Sequence, residues 1–236
     1  MSKHDIAVVA DLHGHFPEIE PSNVLYVAGD ICDRESDWEV FKRWCNYLVE
    51  NETVMSIGWI PGNHDIHIDE NTNIAGHFPR VINLCSSPPV VTAGPKINTI
   101  ATGFCWTFCG NAPMLSFVWR YMTYYLSEIH KRVNNIRWID YGFYEKDMPV
   151  SILVSHGPPA GILDKNRAGE SCGTPGLFGW AQDHGIRYIL CGHIHERGGR
   201  YETHDNITTV NASRSTMYLD YSEELGKCVI SGSRWK

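Results

Sequence analysis

The sequence predicts an α/β fold, and three observations carry that prediction. Apolar runs of strand length recur at Ile6–Ala10, Val24–Ala28, Val54–Ile60, Ile152–Ser155 and Tyr188–Cys191. Between the second and third runs, Trp38, Phe41, Cys45 and Leu48 fall on one face at helical spacing. Strand, helix and strand in that order are the rhythm of a βαβ unit. The third observation is where the runs stop. They end in Asp11-Leu12-His13, in Gly29-Asp30 with Asp33, in Gly62-Asn63-His64-Asp65, in His156, and in Gly192-His193-Ile194-His195. In open α/β sheets chemistry gathers just beyond the carboxyl ends of strands, so all these ends are expected to converge. Asp30 is placed at the centre, because a carboxylate has two oxygens and can bridge two cations.

The elements follow in order. A capping box of Ser36 with Glu39 is expected to start the first helix. Residues 66–80 are polar, with Gly76 and Pro79, and read as a surface loop; short strands follow around Val81–Leu84, Val90–Thr92 and Ile97–Thr102. Residues 104–139 are expected to form an aromatic-rich helical insertion or cap. Pro113 can start its helix, and Phe117, Tyr121 and Tyr124 widen the apolar face carried by Leu115, Val118, Trp119, Met122 and Leu126. Such a face suits packing on the sheet, a lid, or self-association into a homo-oligomer. The βαβ rhythm then returns with a strand at 150–155, a helix framed by Thr174, Pro175 and Gly185, and a strand at 186–191. From Gly198 onward short β runs alternate with polar turns, an expected antiparallel continuation. No linker breaks the chain, so 1–236 is read as a single domain.

Composition narrows the function classes. Across 236 residues, 43% are apolar and 20% charged, as in an ordinary globular protein. The net charge is −7 and there is no basic run, which argues against general nucleic-acid binding but leaves room for a nucleotide held by metals. No apolar stretch approaches the ~20 residues that span a membrane. The first residues lead straight into a strand, so no secretory signal is expected. The eight cysteines are scattered, so reduced thiols and a cytoplasmic location are expected.

Carboxylate, carboxamide and imidazole ligands suit Mn, Fe, Zn, Co or Ni better than Ca. Asp11-x-His13 and His193-x-His195 put alternate residues on one side of an extended segment, so each pair is expected to point into one pocket. His4, His67, His77, His130, His184 and His204 read as structural. His15 is a candidate for the mouth of the site.

The order Asp-x-His, Gly-Asp-x-x-Asp, Gly-Asn-His-Asp, His, Gly-His-x-His, from residue 11 to 195, resembles the calcineurin-like metallophosphoesterases. The resemblance implies a four-layer αββα sandwich of mixed sheets flanked by helices, with two divalent transition-metal ions per chain. It implies Asp11, His13, Asp30 and His195 as ligands of one metal, and Asp30, Asn63, His156 and His193 as ligands of the other. His64 matches the family's catalytic histidine and Asp33 the carboxylate that orients it. Arg34, in a Gly-Asp-x-x-Asp-Arg stretch similar to the Ser/Thr protein phosphatases, matches their phosphate-binding arginine, although Glu35 and Asp65 depart from that branch. His156-Gly157-Pro158-Pro159, Gly192-His193-Ile194-His195-Glu196 and Asn211-Ala212-Ser213 are similar to a group acting on phosphodiesters, including cyclic nucleotides.

Two cations roughly 3.5–4 Å apart clamp a phosphoryl group and acidify a bridging water. The expected reaction is therefore hydrolysis of small phosphodiesters by a metal-bridging hydroxide, with His64 protonating the leaving alkoxide. With Asp11 and Asp30 the only charged ligands, the loaded site is positive and favours phosphate anions. Arg34, Asn63, Arg197 and Lys165 are candidate substrate contacts. The alternatives are a phosphomonoesterase or protein phosphatase, and a catalytically silent metal-binding scaffold. A nuclease subunit is disfavoured by the missing basic groove.

Overall fold

The computed structural model describes residues 3–65, 81–83, 91–94, 97–100, 151–183 and 185–235. The expected insertion at 104–139 and the loop at 66–80 lie outside them. Among the described residues, twelve strands form two mixed sheets. The first contains β1 (His4–Val9), β2 (Ser22–Ala28), β3 (Val54–Ile60), β4 (Val81–Asn83), β11 (Ser215–Ser222) and β12 (Lys227–Arg234), in the order β12-β11-β1-β2-β3-β4. The second contains β5 (Val91–Gly94), β6 (Ile97–Ile100), β7 (Ser151–Val154), β8 (Tyr188–Cys191), β9 (Arg200–His204) and β10 (Ile207–Asn211), in the order β5-β6-β7-β8-β10-β9. Strands β1 to β4 are mutually parallel, as are β6, β7, β8 and β10, and antiparallel strands complete the edges.

The period of two along each strand sorts the core. Ile6, Val8, Val24, Tyr26 and Ala28 face across to Ile152, Val154, Leu190 and Val210, so one apolar layer fills the space between the sheets. Their neighbours Ala7, Val9, Leu25 and Val27 face the other way, onto helix α1 (Glu35–Glu50). That helix buries Trp38, Phe41, Cys45 and Leu48, the stripe expected from sequence. A shorter helix, α2 (Leu177–Asp183), buries Leu177, Trp180 and Ala181 against Leu153, Ile189 and Ile207 of the second sheet. Each sheet thus has one face on the shared core and one on a helix.

Several expected details differ. The start of α1 does not use Ser36 and Glu39. Arg34 is the N-cap, and Asp37 Oδ2 accepts the N–H of Arg34 at 2.9 Å and of Asp33 at 3.1 Å, while Glu39 pairs with Lys42. The carboxylate one turn in reaches back to the free N–H groups whichever residue precedes it. Helix α2 starts at Leu177, after Thr174 and Pro175, and Gly185 follows it at φ +65°. The tail is divided between the sheets: β10 pairs antiparallel with β9 but runs parallel to β8, while β11 pairs antiparallel with β1 and β12. Strand β9, fully exposed and rich in charge, has no apolar alternation to announce it. Cys32, Cys45, Cys191 and Cys228 are free and buried, but Cys172 is disulfide-bonded, against the expectation of reduced thiols throughout. Among the described residues no helix is long and apolar enough to cross a membrane.

Candidate metal centre

The expected strand ends meet at one edge of the two sheets, and the backbone there is unusual. Asp11 (φ +54°), His13 (+46°), Asp30 (+50°) and His193 (+67°) all adopt left-handed conformations. Such residues are uncommon outside glycine and cluster where structure serves function. They also overturn the expectation of extended pairs. The loops after β1 and β8 turn sharply, and His195 begins a 3-10 turn (His195–Arg197), so the two histidines of His193-x-His195 part company.

They join two different groups. Asp11, His13 and His195 bring ligand atoms within 4.8 Å of one another, and so do Asp30, His156 and His193. In the first group His195 Nε2 lies 3.0 Å from Asp11 Oδ1. In the second, Asn63 Oδ1 lies 2.9 Å from His156 Nε2 and 3.0 Å from His193 Nδ1. Asp30 stands between them: its Oδ1 is 3.4 Å from His156 Nε2, and its Oδ2 is 4.0 Å from His13 Nε2.

Glycine permits this closeness. A Cβ on Gly62 would lie 2.1 Å from Asp30 Oδ1 and 2.2 Å from its backbone nitrogen. Gly29, at φ +88°, could not carry one either, since it would sit 2.5 Å from His156 Nδ1. The β2 and β3 loops therefore touch backbone to side chain around the central carboxylate.

Two features fit this donor set to cations. His13 Nδ1 is 2.6 Å from Asp33 Oδ1 and donates to it, which leaves Nε2 as a buried lone pair with no hydrogen-bond partner among the described residues. His156 Nδ1 faces the Ala28 carbonyl at 2.9 Å. That bond requires the proton on Nδ1, so the Nε2 lone pair points at the oxygens of Asn63 and Asp30, an arrangement that needs a second proton or a cation. The titration behaviour expresses the same tension. Burial acts to lower His156, yet the hydrogen bond and charge of Asp30, with Asp11, raise it to about 9. Burial and the nearby His156 charge lower His193 to about 4. Burial acts to raise Asp11 and Asp30, but their histidine neighbours prevail and hold both below the ordinary carboxylate range.

At the rim, Asp33, His13 and His64 form a third close group. His64 Nδ1 is 3.6 Å from Asp33 Oδ1, farther than the same oxygen is from His13, and both His64 and Asp33 are half exposed. The His64 backbone N–H donates to Asp30 Oδ1 at 2.9 Å. Arg34 is exposed at the N-cap of α1, Arg197 is half-buried in the turn after His195, and Lys165 is exposed in a bridge with Ser171. His15 is exposed and lines a cavity that opens onto Asp11 and His13, in agreement with its expected place at the mouth.

Residues outside the expected site set also hold the centre in place. Buried Asp65 accepts N–H bonds from Gly62 (2.7 Å), Cys32 (2.9 Å) and Ile31 (3.0 Å), tying the β2 and β3 loops together; burial, joined by the charge of Asp30, raises its carboxyl. Ser213 Oγ donates to Asp11 Oδ2 at 2.5 Å, and the His193 N–H reaches the same oxygen at 2.8 Å. Asn211 Nδ2 donates to the carbonyls of Gly192 and Ile194. A signal for these two was the Asn211-Ala212-Ser213 motif itself.

No curated protein sequence matches the chain. Among solved structures it is similar to the phosphopantetheinyl hydrolase PptH from Mycobacterium tuberculosis, at 14% identity and TM-score 0.60 over 90% of each chain. It is also similar to the sulfate thiohydrolase SoxB of Thermus thermophilus, at 13% identity and TM-score 0.44, over 89% of this chain and 38% of that one. The family model for calcineurin-like phosphoesterases matches residues 4–197, the span that carries every candidate ligand. This chain belongs to the calcineurin-like phosphoesterase family.

Proposed function

We propose that the chain is a metal-dependent hydrolase of small phosphodiesters, cyclic nucleotides among them, built as a single domain on a four-layer αββα sandwich. The observation that carries this reading is Asp30, a buried carboxylate with one oxygen toward His156 and the other toward His13. Asp11, His13, Asp30 and His195 would hold one divalent transition metal, and Asp30, Asn63, His156 and His193 a second. Such cations supply Lewis acidity to phosphoryl oxygens and acidify water.

The chain's own residues do the rest. Asp33 keeps His13 in the tautomer with a free Nε2, and Ser213 holds Asp11 in register with the His193 loop. His64 stands at the rim with Nδ1 toward Asp33, leaving Nε2 to protonate the departing oxygen. Arg34, Arg197 and Asn63 are the candidates to meet phosphate oxygens, with exposed Lys165 the weakest. The preference for diesters rests on the His156-Gly157-Pro158-Pro159 and Gly192-His193-Ile194-His195 motifs.

The test is a matrix of Mn, Fe, Zn, Co and Ni against bis(p-nitrophenyl) phosphate, p-nitrophenyl phosphate and cyclic nucleotides. The diester should give the higher kcat/KM with at least one metal. A higher value for the monoester with every metal would replace this reading by the phosphomonoesterase one. No turnover at all, in a protein that binds metal, would leave a silent scaffold.

A further inference from the structure

A cavity of about 320 Å³ opens beside the first ligand group, lined by Asp11, His13, His15, Asp33, Arg214 and Trp235 among others. That volume lies at the small end of ligand sites. The last two residues lie beyond the family match, which stops at 197.

The wall is built, not incidental. Trp235 Nε1 donates to Thr216 Oγ1 at 2.9 Å, and its backbone N–H donates to the Arg214 carbonyl at 3.0 Å. The indole is therefore fixed at both ends beside β11, half-buried, with the His15 ring 5.4 Å away at 49°. Arg214 is exposed and left-handed at φ +46°, held there by its N–H bond to Ala10 O at 3.0 Å, directly behind Asp11. The adjacent Arg234 Nη2 donates to the His195 carbonyl at 2.7 Å, linking the C-terminal strand to the ligand loop. A fixed indole, an imidazole and a planar guanidinium around one opening make a surface for a flat ring next to an anion. Rings stack on tryptophan and on arginine planes whatever their hydrogen-bonding edges.

We infer that Trp235, with His15 and Arg214, forms a subsite for a planar ring carried on one ester arm of the substrate, a nucleobase or an aryl group, while the phosphoryl group lies at the metal centre. This rests on the phosphoesterase reading above and adds a substrate class to it. Trp235 acts by binding the arm and takes no part in bond cleavage.

The test is calorimetric titration of the manganese-loaded full chain with phenylphosphonate and with methylphosphonate, which differ in the ring and have no ester bond to hydrolyse. Stacking on one aromatic residue is worth ~1–3 kcal/mol, so the phenyl compound should bind at least about fivefold more tightly. Trp235→Ala should bring the two Kd values within about twofold, and Trp235→Phe should keep most of the preference. Because Trp235 also anchors the C-terminal segment, His15→Ala serves as a second variant and should reduce the preference without disturbing that anchor. Equal binding of the two compounds by the wild type, alongside turnover of diesters, would overturn the subsite and leave the phosphoesterase reading standing. A preference unchanged in both Trp235→Ala and His15→Ala would also overturn it. Failure to bind either phosphonate, together with no turnover of any phosphate ester, would overturn both.

Discussion

Asp33 faces two histidines, and replacing it by asparagine separates the two roles. Its Oδ1 is 2.6 Å from His13 Nδ1 and 3.6 Å from His64 Nδ1. The shorter contact is a hydrogen bond to a candidate ligand, so Asp33→Asn should act first on metal affinity. Removing the carboxylate partner of a ligating histidine typically weakens metal binding ~10–100-fold. Here the Asp33 side chain is 50% exposed, which screens its charge, and the asparagine carbonyl can still accept the His13 N–H. The loss should therefore sit at the low end, about tenfold, or ~1.4 kcal/mol. Competition titrations against a chelator of known affinity, with Mn or Zn, would read it. One of two binding steps should weaken about tenfold and the other should stay within about twofold. His64→Ala should leave both steps as in wild type. If Asp33→Asn binds metal like wild type and loses only kcat, as His64→Ala is expected to, Asp33 serves His64 alone and the His13 argument is wrong.

The remaining predictions concern catalysis, packing and pH. His64→Ala should lower kcat by ~10²–10⁴ at unchanged metal content, and the loss should shrink for nitrophenolate leaving groups, which need little protonation; an equal loss for every leaving group would remove His64 as the acid. Gly62→Ala forces a Cβ to 2.1 Å from Asp30 Oδ1 and should cost at least ~1–3 kcal/mol in a denaturant melt, whereas Gly179→Ala, on α2 with nothing within 4 Å of its new Cβ, should be neutral or slightly stabilising. In the metal-free protein, His156 is raised from 6.5 to about 9, so its contribution is complete below pH 6.5 and fades as pH rises toward 9. His193 is lowered from 6.5 to about 4, so its contribution is complete above pH 6.5 and fades as pH falls toward 4. Denaturation of the chelated protein should therefore show greatest stability near pH 6.5 from these two groups, and a profile without loss on either side would contradict the assignment. Metal binding near pH 7.5 should release protons from His156, seen as a buffer-dependent binding heat.

Most of the centre was legible in the sequence because its ligands follow buried strands. Apolar runs mark where β1, β2, β3, β7 and β8 end, and a glycine or ligand residue at each end marks where the chain turns. The division of His193 and His195 between two groups was not legible from spacing, since alternation holds only in extended chain and His193 is left-handed; the family resemblance supplied it. The contact of Asp33 with His13 depends on how two loops 20 residues apart in sequence lie against each other. The same holds for Asp65, whose value comes from N–H groups on the β2 loop. Trp235 carried no local signal, because only the pairing of β12 with β11 brings the end of the chain to the mouth. The start of α1 differs from expectation because Ser36 and Glu39 have the spacing of a capping box two residues beyond the actual pair, Arg34 and Asp37.

The central claim is that one carboxylate, Asp30, serves two metal sites. It is tested most directly by manganese equilibrium dialysis of the wild type and Asp30→Asn. Asparagine tolerates the left-handed backbone at φ +50°, so the substitution changes the charge and leaves the turn intact. Two manganese ions should bind per wild-type chain, and in the variant affinity should fall at both sites together. Weakening of one site while the other binds as before would contradict it.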